Sequence, residues 1–497
     1  MSGSMMNTER ENMKGTKRTG RFGTCLLVTV AVVLLAGCAA VGPDYRPPET
    51  SYPGMWNTEL QDGLVLRQVD PGELAQWWDT LDDPVLSSLM SRAVQGSLDL
   101  KEASSRVREA RARRVSAGSG LFPSLDSSGS IQRSGGGSSS GGSDRTLYAA
   151  GFDAAWELDI FGGTRRAMEA AEADLSAVLE GRNDTLVTLT AEVALNYVEL
   201  RTFQARLDAA QSSLDIQEET YRLELSRVQA GMSDALSLQQ ARSNLESTRS
   251  RIPALRASLE EAKNRLAVLL GERPGAIHPE LAEHRLVPVI PPEIPVDAPA
   301  DVLRRRPDVR RAERELAVQS ALVGVAVSEL YPKITLGGSI GLSALSAGDL
   351  LTAGSRSYSY GPRISLPIFS AGSVRANIEA RSAMQEQALI RYEAAVLTAL
   401  EEVENVLVAY AKEQERRSFL VEAERAAREA AELAEHKYNA GITDFTVLLD
   451  TQRSLLSARD ELAQSDGAVT SNLVRLYKAL GGGWASQQER SEKRGEG

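Results

Sequence analysis

The chain repeats itself at long range, and that limits what it can fold into. LFPSL around Pro123 returns as LYPKI around Pro332, 209 residues on, and LDIFGGTRRAMEA returns as LPIFSAGSVRANIEA, with Phe161 and Phe369 208 apart. RVQAGMSDALSL returns as KYNAGITDFTVL, and LAVLLG as LYKALG; Gly231 with Gly441 and Gly271 with Gly481 are both 210 apart. Four landmarks in nearly constant register mark two copies of one supersecondary unit. The proline-rich stretch VPVIPPEIPVDAPADVLRRRPD joins them.

Each copy reads the same way: a helical stretch, a Gly/Ser-rich segment with strand-like alternation, a very long helix, a turn and a returning helix. Tyr148, Ala150, Phe152, Ala154, Trp156 and Leu158 alternate with Asp153, Glu157 and small residues; Ile334, Leu336, Ile340 and Leu342, then Tyr358, Tyr360, Pro362, Ile364 and Leu366, do the same. Period-two alternation gives a strand one apolar and one polar face, and the lengths approach the roughly 9–11 residues of a transmembrane strand. The segment Ser124 to Arg133 shows the pattern poorly, and half-exposed hairpins of a soluble protein would show it too. SGGGSSSGGS lacks the GK[ST] of a phosphate loop and reads as a flexible loop. From Arg165 to Gly231 there is no proline, and Leu186, Val193, Leu200, Leu207, Leu214, Tyr221 and Val228 recur every seven residues, a sustained heptad. Val396, Val403 and Tyr410 keep it in the second copy until Arg417. Some sixty residues of helix span roughly 100 Å. Pro253 is expected to kink the returning helix of the first copy.

Composition removes most chemistry. With 56 Lys+Arg against 67 Asp+Glu the net charge is −11, which argues against nucleic acid as a partner. Three histidines and two cysteines serve neither a metal cluster nor a disulfide framework. No nucleophile triad or acid–base pair emerges, so no enzyme, catalytic residue or metal site is expected.

The N-terminus is a targeting signal. Lys14, Lys17, Arg18 and Arg21 precede the apolar run CLLVTVAVVLLAGC, too short for a comfortable membrane span. Leu35-Ala36-Gly37-Cys38 resembles a bacterial lipobox, which implies cleavage before Cys38 and a covalent lipid on it, with no other cofactor. Ala39, where such lipoproteins carry their sorting residue, favours the outer membrane. An ordinary signal peptide with Cys38 unmodified is the alternative.

Four strands per chain cannot close a barrel, since the smallest bacterial barrels have eight, and an open edge cannot face lipid. Inserted strands would have to be shared among copies, and three copies give twelve. At this point the motifs CAAVGPDYRPP, QWWDTLDDPVLSSLM, WELDIFGGTRR, RRRPDVRRAE, LYPKITLGG, LPIFSAGSVRAN and YNAGITDFTVLLDTQRSLL resemble the TolC-like outer-membrane efflux proteins, in their nodulation-type lipoprotein branch. The resemblance implies a mixed α/β membrane protein: a homotrimer with a twelve-stranded transmembrane β-barrel, four strands per chain, continued by a coiled-coil α-helical periplasmic tunnel. The chain then divides into a signal peptide (1–37), a lipid-anchored segment with part of an equatorial belt (38–90), a first repeat (91–271), a belt connector (272–300), a second repeat (301–483) and a polar tail (484–497). Gly96 stands where the family often has Asn, which would weaken a local helix cap.

The implied function is the outer-membrane exit duct of a tripartite pump, passively exporting small molecules, with a periplasmic adaptor and an inner-membrane transporter of the RND type. The turns Ala230-Gly231-Met232-Ser233 and Ala440-Gly441-Ile442-Thr443 would form the periplasmic tips that meet the adaptor, although turn chemistry alone also explains their glycines. The family match implies that Asp450 stands at the constriction closing the tunnel, with Arg453 one turn on, Thr446 one turn before and Asp444 in a second layer. Three-fold symmetry would make Asp450 a carboxylate ring; the other reading is an exposed ion pair with Arg453. A type I protein-secretion duct shares the fold, and a non-conducting envelope lipoprotein would share the helices. The lipobox and nodulation-like motifs favour small-molecule efflux over the first, and the amphipathic strands argue against the second.

Overall fold

The computed structural model describes residues 40–48, 54–135, 144–288 and 290–484; Cys38, the signal segment and most of the Gly/Ser stretch lie outside them. In chain order the elements are β1 (Leu64–Leu66), α1 (Pro71–Ala75), α2 (Pro84–Gly96), α3 (Leu98–Ser119), β2 (Ser124–Ser134), β3 (Arg145–Leu158), α4 (Gly163–Gln229), α5 (Ala235–Leu269), β4 (Ile294–Val296), α6 (Pro299–Arg305), α7 (Pro307–Ser328), β5 (Lys333–Ala344), β6 (Arg356–Ser365), α8 (Ser373–Asn439) and α9 (Phe445–Ala479). The two long helices α4 and α8 have 67 residues each, and the returning helices α5 and α9 have 35 each. The chain forms two compact units. One comprises residues up to Pro48, Arg108–Ala177 and Glu313–Arg391; the other comprises Glu49–Val107, Val178–Ala312 and the chain from Tyr392 on.

The first unit holds an antiparallel sheet of order β2-β3-β5-β6. Its register places Ile131 opposite Tyr148, Phe152 opposite Ile340, Trp156 opposite Leu336, and Ile364 opposite Ile334. Directly opposed residues share a face, so the apolar side chains of all four strands fall on one side. Asp126, Asp153 and Ser339 meet on the other. β2 contributes least, as its sequence foretold, with Ser127 and Gly129 among its apolar-face positions. Among the described residues nothing covers that face: Ile131, Ile340 and Tyr360 are 73%, 67% and 85% exposed. A soluble hairpin would pack such a face onto a core. Gly151 pairs with Gly341, where an added Cβ would stand 2.7–2.8 Å from a facing carbonyl oxygen. Among the described residues no helix is long and apolar enough to cross a membrane.

The same unit fixes the segment that follows Cys38. The Asp159 carboxylate accepts from the backbone N–H groups of Thr164 and Arg165 at 2.9 and 3.0 Å, satisfying orphan donors at the start of α4. Arg166, its side chain 5% exposed, donates to the carbonyls of Val41 and Gly42 and pairs with Asp44 at 2.7 Å. Tyr45 donates to Glu313 at 3.1 Å. WELDIFGGTRR and VGPDY are thus two sides of one clasp.

In the second unit a large core gathers Trp77, Leu86, Leu89, Leu200, Leu266 and Leu473; Trp77 stacks on Tyr477 with ring centroids 5.1 Å apart. β1 pairs in parallel with β4. Asp297, after β4, accepts from Val69 N and from Arg305 at 2.8 and 2.6 Å. One sequence expectation changes here. Gly96 is required by a close approach rather than being a weakened cap: a Cβ there would lie 2.0 Å from the Leu270 carbonyl oxygen. Helix α5 carries Pro253 in its interior. Pro253 and Arg249 are both exposed, so the carbonyl that the proline leaves without an amide partner can be solvated.

Candidate functional site

Both long helices stop on the same device. Gly231 and Gly441 sit at φ 72°, a conformation open to glycine without strain. Gly231 N donates to Val228 O and Met232 N to Arg227 O, at 3.0 and 2.8 Å; Gly441 N donates to Tyr438 O and Ile442 N to Lys437 O, at 3.0 and 2.9 Å. These paired bonds close the last carbonyls of a helix in a Schellman motif. Met232 and Ile442 stand out from the turns, 73% and 74% exposed; Ala230 and Ala440 are exposed, Ser233 and Thr443 half-buried. The returning helices begin on Asp234 and Asp444. The Asp234 carboxylate accepts from Ser237 N at 2.8 Å, a bond that holds its pKa below the ordinary value. Asp444 makes no capping bond and is exposed.

Just above the turns the two hairpins are tied together. Glu224 on α4, fully buried, accepts from the Tyr438 hydroxyl on α8 at 2.5 Å and from Ser233 Oγ. Burial, and then the bond to Glu224, push the Tyr438 phenol up, so it remains a donor. The Arg227 guanidinium lies 4.5 Å from the centroid of the Tyr438 ring, within cation–π range. Tyr438 also packs with Phe445, Ala241, Ala434, Leu448 and Leu449 in a small apolar cluster.

Helix α9 is amphipathic beyond its turn. Phe445, Leu448, Leu449, Gln452, Leu455 and Leu456 are buried, whereas Thr446, Val447, Asp450, Arg453, Ser454 and Ser457 are exposed, the division a 3.6-residue period requires. The Asp450 side chain is 76% exposed and stands 3.8 Å from Arg453, at the outer edge of ion pairing. Arg453 makes its shorter contact with Asn244 on α5, Nε donating to Oδ1 at 2.9 Å. Gln452 Nε2 donates to Thr220 Oγ1 on α4, also at 2.9 Å. Side chains from α4 and α5 therefore grip α9 at the two positions, Gln452 and Arg453, that follow closely on Asp450.

Residues 89–272 and 298–482 match the family of outer membrane efflux proteins. The chain belongs to that family. Nodulation protein T of Rhizobium leguminosarum bv. trifolii is 32% identical to it over 461 residues, covering 91% of this chain and 96% of the relative. The pyoverdine export outer membrane protein OpmQ of Pseudomonas aeruginosa is 33% identical over 472 residues, covering 93% and 98%. Among solved structures, the outer-membrane channel OprN superposes with a TM-score of 0.83 at 37% identity, over 90% of this chain and all of that one. Outer membrane efflux proteins are channel proteins of the outer membrane, and this chain is one of them.

Within that family frame, Asp444, Thr446, Asp450 and Arg453 all fall at the start of α9, exposed. Sequence spacing offered Arg453 as the nearest support for Asp450, but Arg453's closer partner is Asn244. Four residues of this neighbourhood escaped the sequence reading: Glu224, Asn244, Tyr438 and Gln452. Glu224 is the one the heptad could have flagged, as a charged residue between two seam positions, Tyr221 and Val228. The others depend on contacts between helices some two hundred residues apart.

Proposed function

We propose that this chain is the outer-membrane exit duct of a tripartite efflux pump and works as a homotrimer, exporting small molecules passively. The observation that carries the reading is the sheet: four strands long enough to cross a bilayer and, among the described residues, an apolar face with no cover and unpaired outer edges on β2 and β6. In hydrocarbon each unsatisfied backbone group on those edges would cost several kcal/mol. Three copies supply twelve strands, an even number within the range of closed bacterial barrels, and the helical hairpins α4–α5 and α8–α9 form the periplasmic tunnel. Asp450, with Arg453, Thr446 and Asp444 around it, lines the constriction. Ala230 to Ser233 and Ala440 to Thr443 meet a periplasmic adaptor, and the exposed Met232 and Ile442 give that contact apolar anchors. An inner-membrane transporter of the RND type supplies the energy. In planar bilayers the purified full chain is expected to open stable ion-conducting channels. Insertion without conductance would favour the non-conducting envelope lipoprotein and overturn the duct.

Anchoring is the second part of the reading. Cys38 carries lipid, a proposal supported by the lipobox and by the way Arg166 clasps the backbone at Val41 and Gly42, just downstream. Labelled palmitate is expected to enter the wild type and not Cys38→Ser; equal labelling of both would remove the lipoprotein claim. Conductance should survive the substitution, because the barrel supplies its own anchor.

A further inference from the structure

One joint of the sheet has a sequence twin that the chain leaves open. Where β3 meets β5, Phe161 stacks on Tyr331 with ring centroids 4.8 Å apart, and Ile160 beside it is half-buried. The duplication supplies the counterpart. LDIF at 158–161 returns as LPIF at 366–369, 208 residues on, and LFPSL corresponds to LYPKI at an offset of 209, so Phe369 matches Phe161 and Phe122 matches Tyr331. Yet Ile368, Phe369 and Phe122 are 93%, 89% and 70% exposed. Strands β6 and β2 lie at opposite edges of the sheet, three strand spacings or about 14 Å apart. The second stack cannot close within one chain.

We propose that it closes between copies: β6 of one copy pairs antiparallel with β2 of the next, in the register that β3 keeps with β5, and Phe369 of the first stacks on Phe122 of the second. The joint rests on the trimer proposed above, but its register does not follow from a trimer alone. The same offsets carry Trp156–Leu336 to Ile364–Ser127, Phe152–Ile340 to Tyr360–Ile131, and Leu158–Ile334 to Leu366–Leu125. Apolar-face positions meet apolar-face positions, whereas a slip of one residue would set the apolar side of one strand against the polar side of the other. Charge agrees. On the polar face Asp126 stands opposite Asp153, a like-charge pair that a sheet disfavours. Neither Asp126 nor Arg363 makes a hydrogen bond or ion pair among the described residues. The offsets place Arg363 opposite Ser128 of the next copy, diagonal to Asp126 and within reach of a long side chain. Pro362 falls opposite Gly129, where its missing N–H forfeits at most one ladder bond.

Disulfide trapping in the purified full chain reads the register. Gln132 of one copy should face Ser359 of the next; slips of two residues, which preserve the faces, would bring Ser357 or Gly361 there instead. On oxidation, Gln132→Cys with Ser359→Cys is expected to link about tenfold more chain into covalent dimers and trimers than Gln132→Cys with Ser357→Cys or with Gly361→Cys. Diagonal pairs stand about 7–8 Å apart, too far for a disulfide without backbone movement. Cys38 is common to all three variants, and the distance between β2 and β6 excludes a link within one chain. Native mass of the wild type and of each reduced variant reports the trimer separately. Trimers that link through Ser357→Cys or Gly361→Cys, or through none of the pairs, overturn the register and leave the shared barrel standing; a monomeric wild type removes both. The stack has a test that needs no cysteine. Phe122→Ala and Phe369→Ala are each expected to lower the temperature at which the trimer dissociates by several degrees, and the double variant to fall little further than either, as contacting residues do. Additive losses would mean that the two rings do not meet, and overturn the stack.

Discussion

Replacing Asp450 with Ala is expected to raise single-channel conductance in planar bilayers, reduce the preference for cations, and weaken block by divalent and trivalent cations by about tenfold, on the order of 1.4 kcal/mol. On its own chain Asp450 has little to hold it: the side chain is 76% exposed and Arg453 is 3.8 Å away, itself bonded to Asn244. An exposed pair of that kind contributes a fraction of a kcal/mol, and losing it would alter neither conductance nor selectivity. In the proposed trimer, three copies around an axis would change the physics. Carboxylates crowded at a constriction repel one another and attract cations, more strongly as water is excluded. Asp215→Ala, at an exposed carboxylate on α4, is the control and is expected to change nothing. If Asp450→Ala behaves as Asp215→Ala does, Asp450 belongs to a solvated helix surface and the constriction lies elsewhere.

Arg306→Ala is expected to destabilise the protein by roughly 3 kcal/mol, the low end for breaking a buried ion pair. Arg306, 7% exposed, pairs with Asp308 and Glu402 at 2.6 Å each and donates to the Ala479 carbonyl at the end of α9, 3.1 Å away. One guanidinium thus joins α7, α8 and α9, and its loss strands the half-buried carboxylate of Asp308. Glu402 is half exposed, which keeps the figure at the low end. The pH dependence carries a second signature. Burial alone would raise the Asp308 carboxyl, but the hydrogen bond and charge of Arg306 outweigh it and hold the group below its ordinary value of 3.8. A carboxylate depressed in this way contributes stability that is complete above its unfolded pKa and lost as pH falls from about 4 through the folded value. Apparent melting temperatures measured from pH 7 down to pH 3 should therefore fall less steeply for Arg306→Ala than for the wild type. Glu404 and Glu424, also held low, keep part of the slope in both. Parallel curves would mean that Asp308 draws nothing from Arg306.

What could be read from the residues, and what could not, divides by range. Gly231 and Gly441 announced their turns because a Schellman stop is local and asks for positive φ at one position. The strands β3, β5 and β6 announced themselves by alternation, which needs only neighbours two apart. β2 did not, because Ser127 and Gly129 occupy its apolar-face positions and only pairing with β3 defines it. The clasp of Arg166 on Val41 and Gly42 was visible as two motifs but not as one contact, since 124 residues separate the partners. Gly96 was misread for the same reason: its constraint is the Leu270 carbonyl, invisible in the local sequence. At the candidate gate the sequence supplied Asp450 and Arg453 through one helix's spacing, but Asn244, Thr220 and Glu224 reach this region from another hairpin.

The claim on which the rest depends is that four strands from each of three chains close one barrel. Native mass measurement of the full chain, purified in detergent, tests it directly. A barrel closed by three chains requires a single species at three times the mass of the mature, lipid-bearing chain, with no folded monomer at equilibrium. A stable monomer retaining the β2-β3-β5-β6 sheet in detergent would contradict it, because that sheet would then have found a way to leave both its edges unpaired.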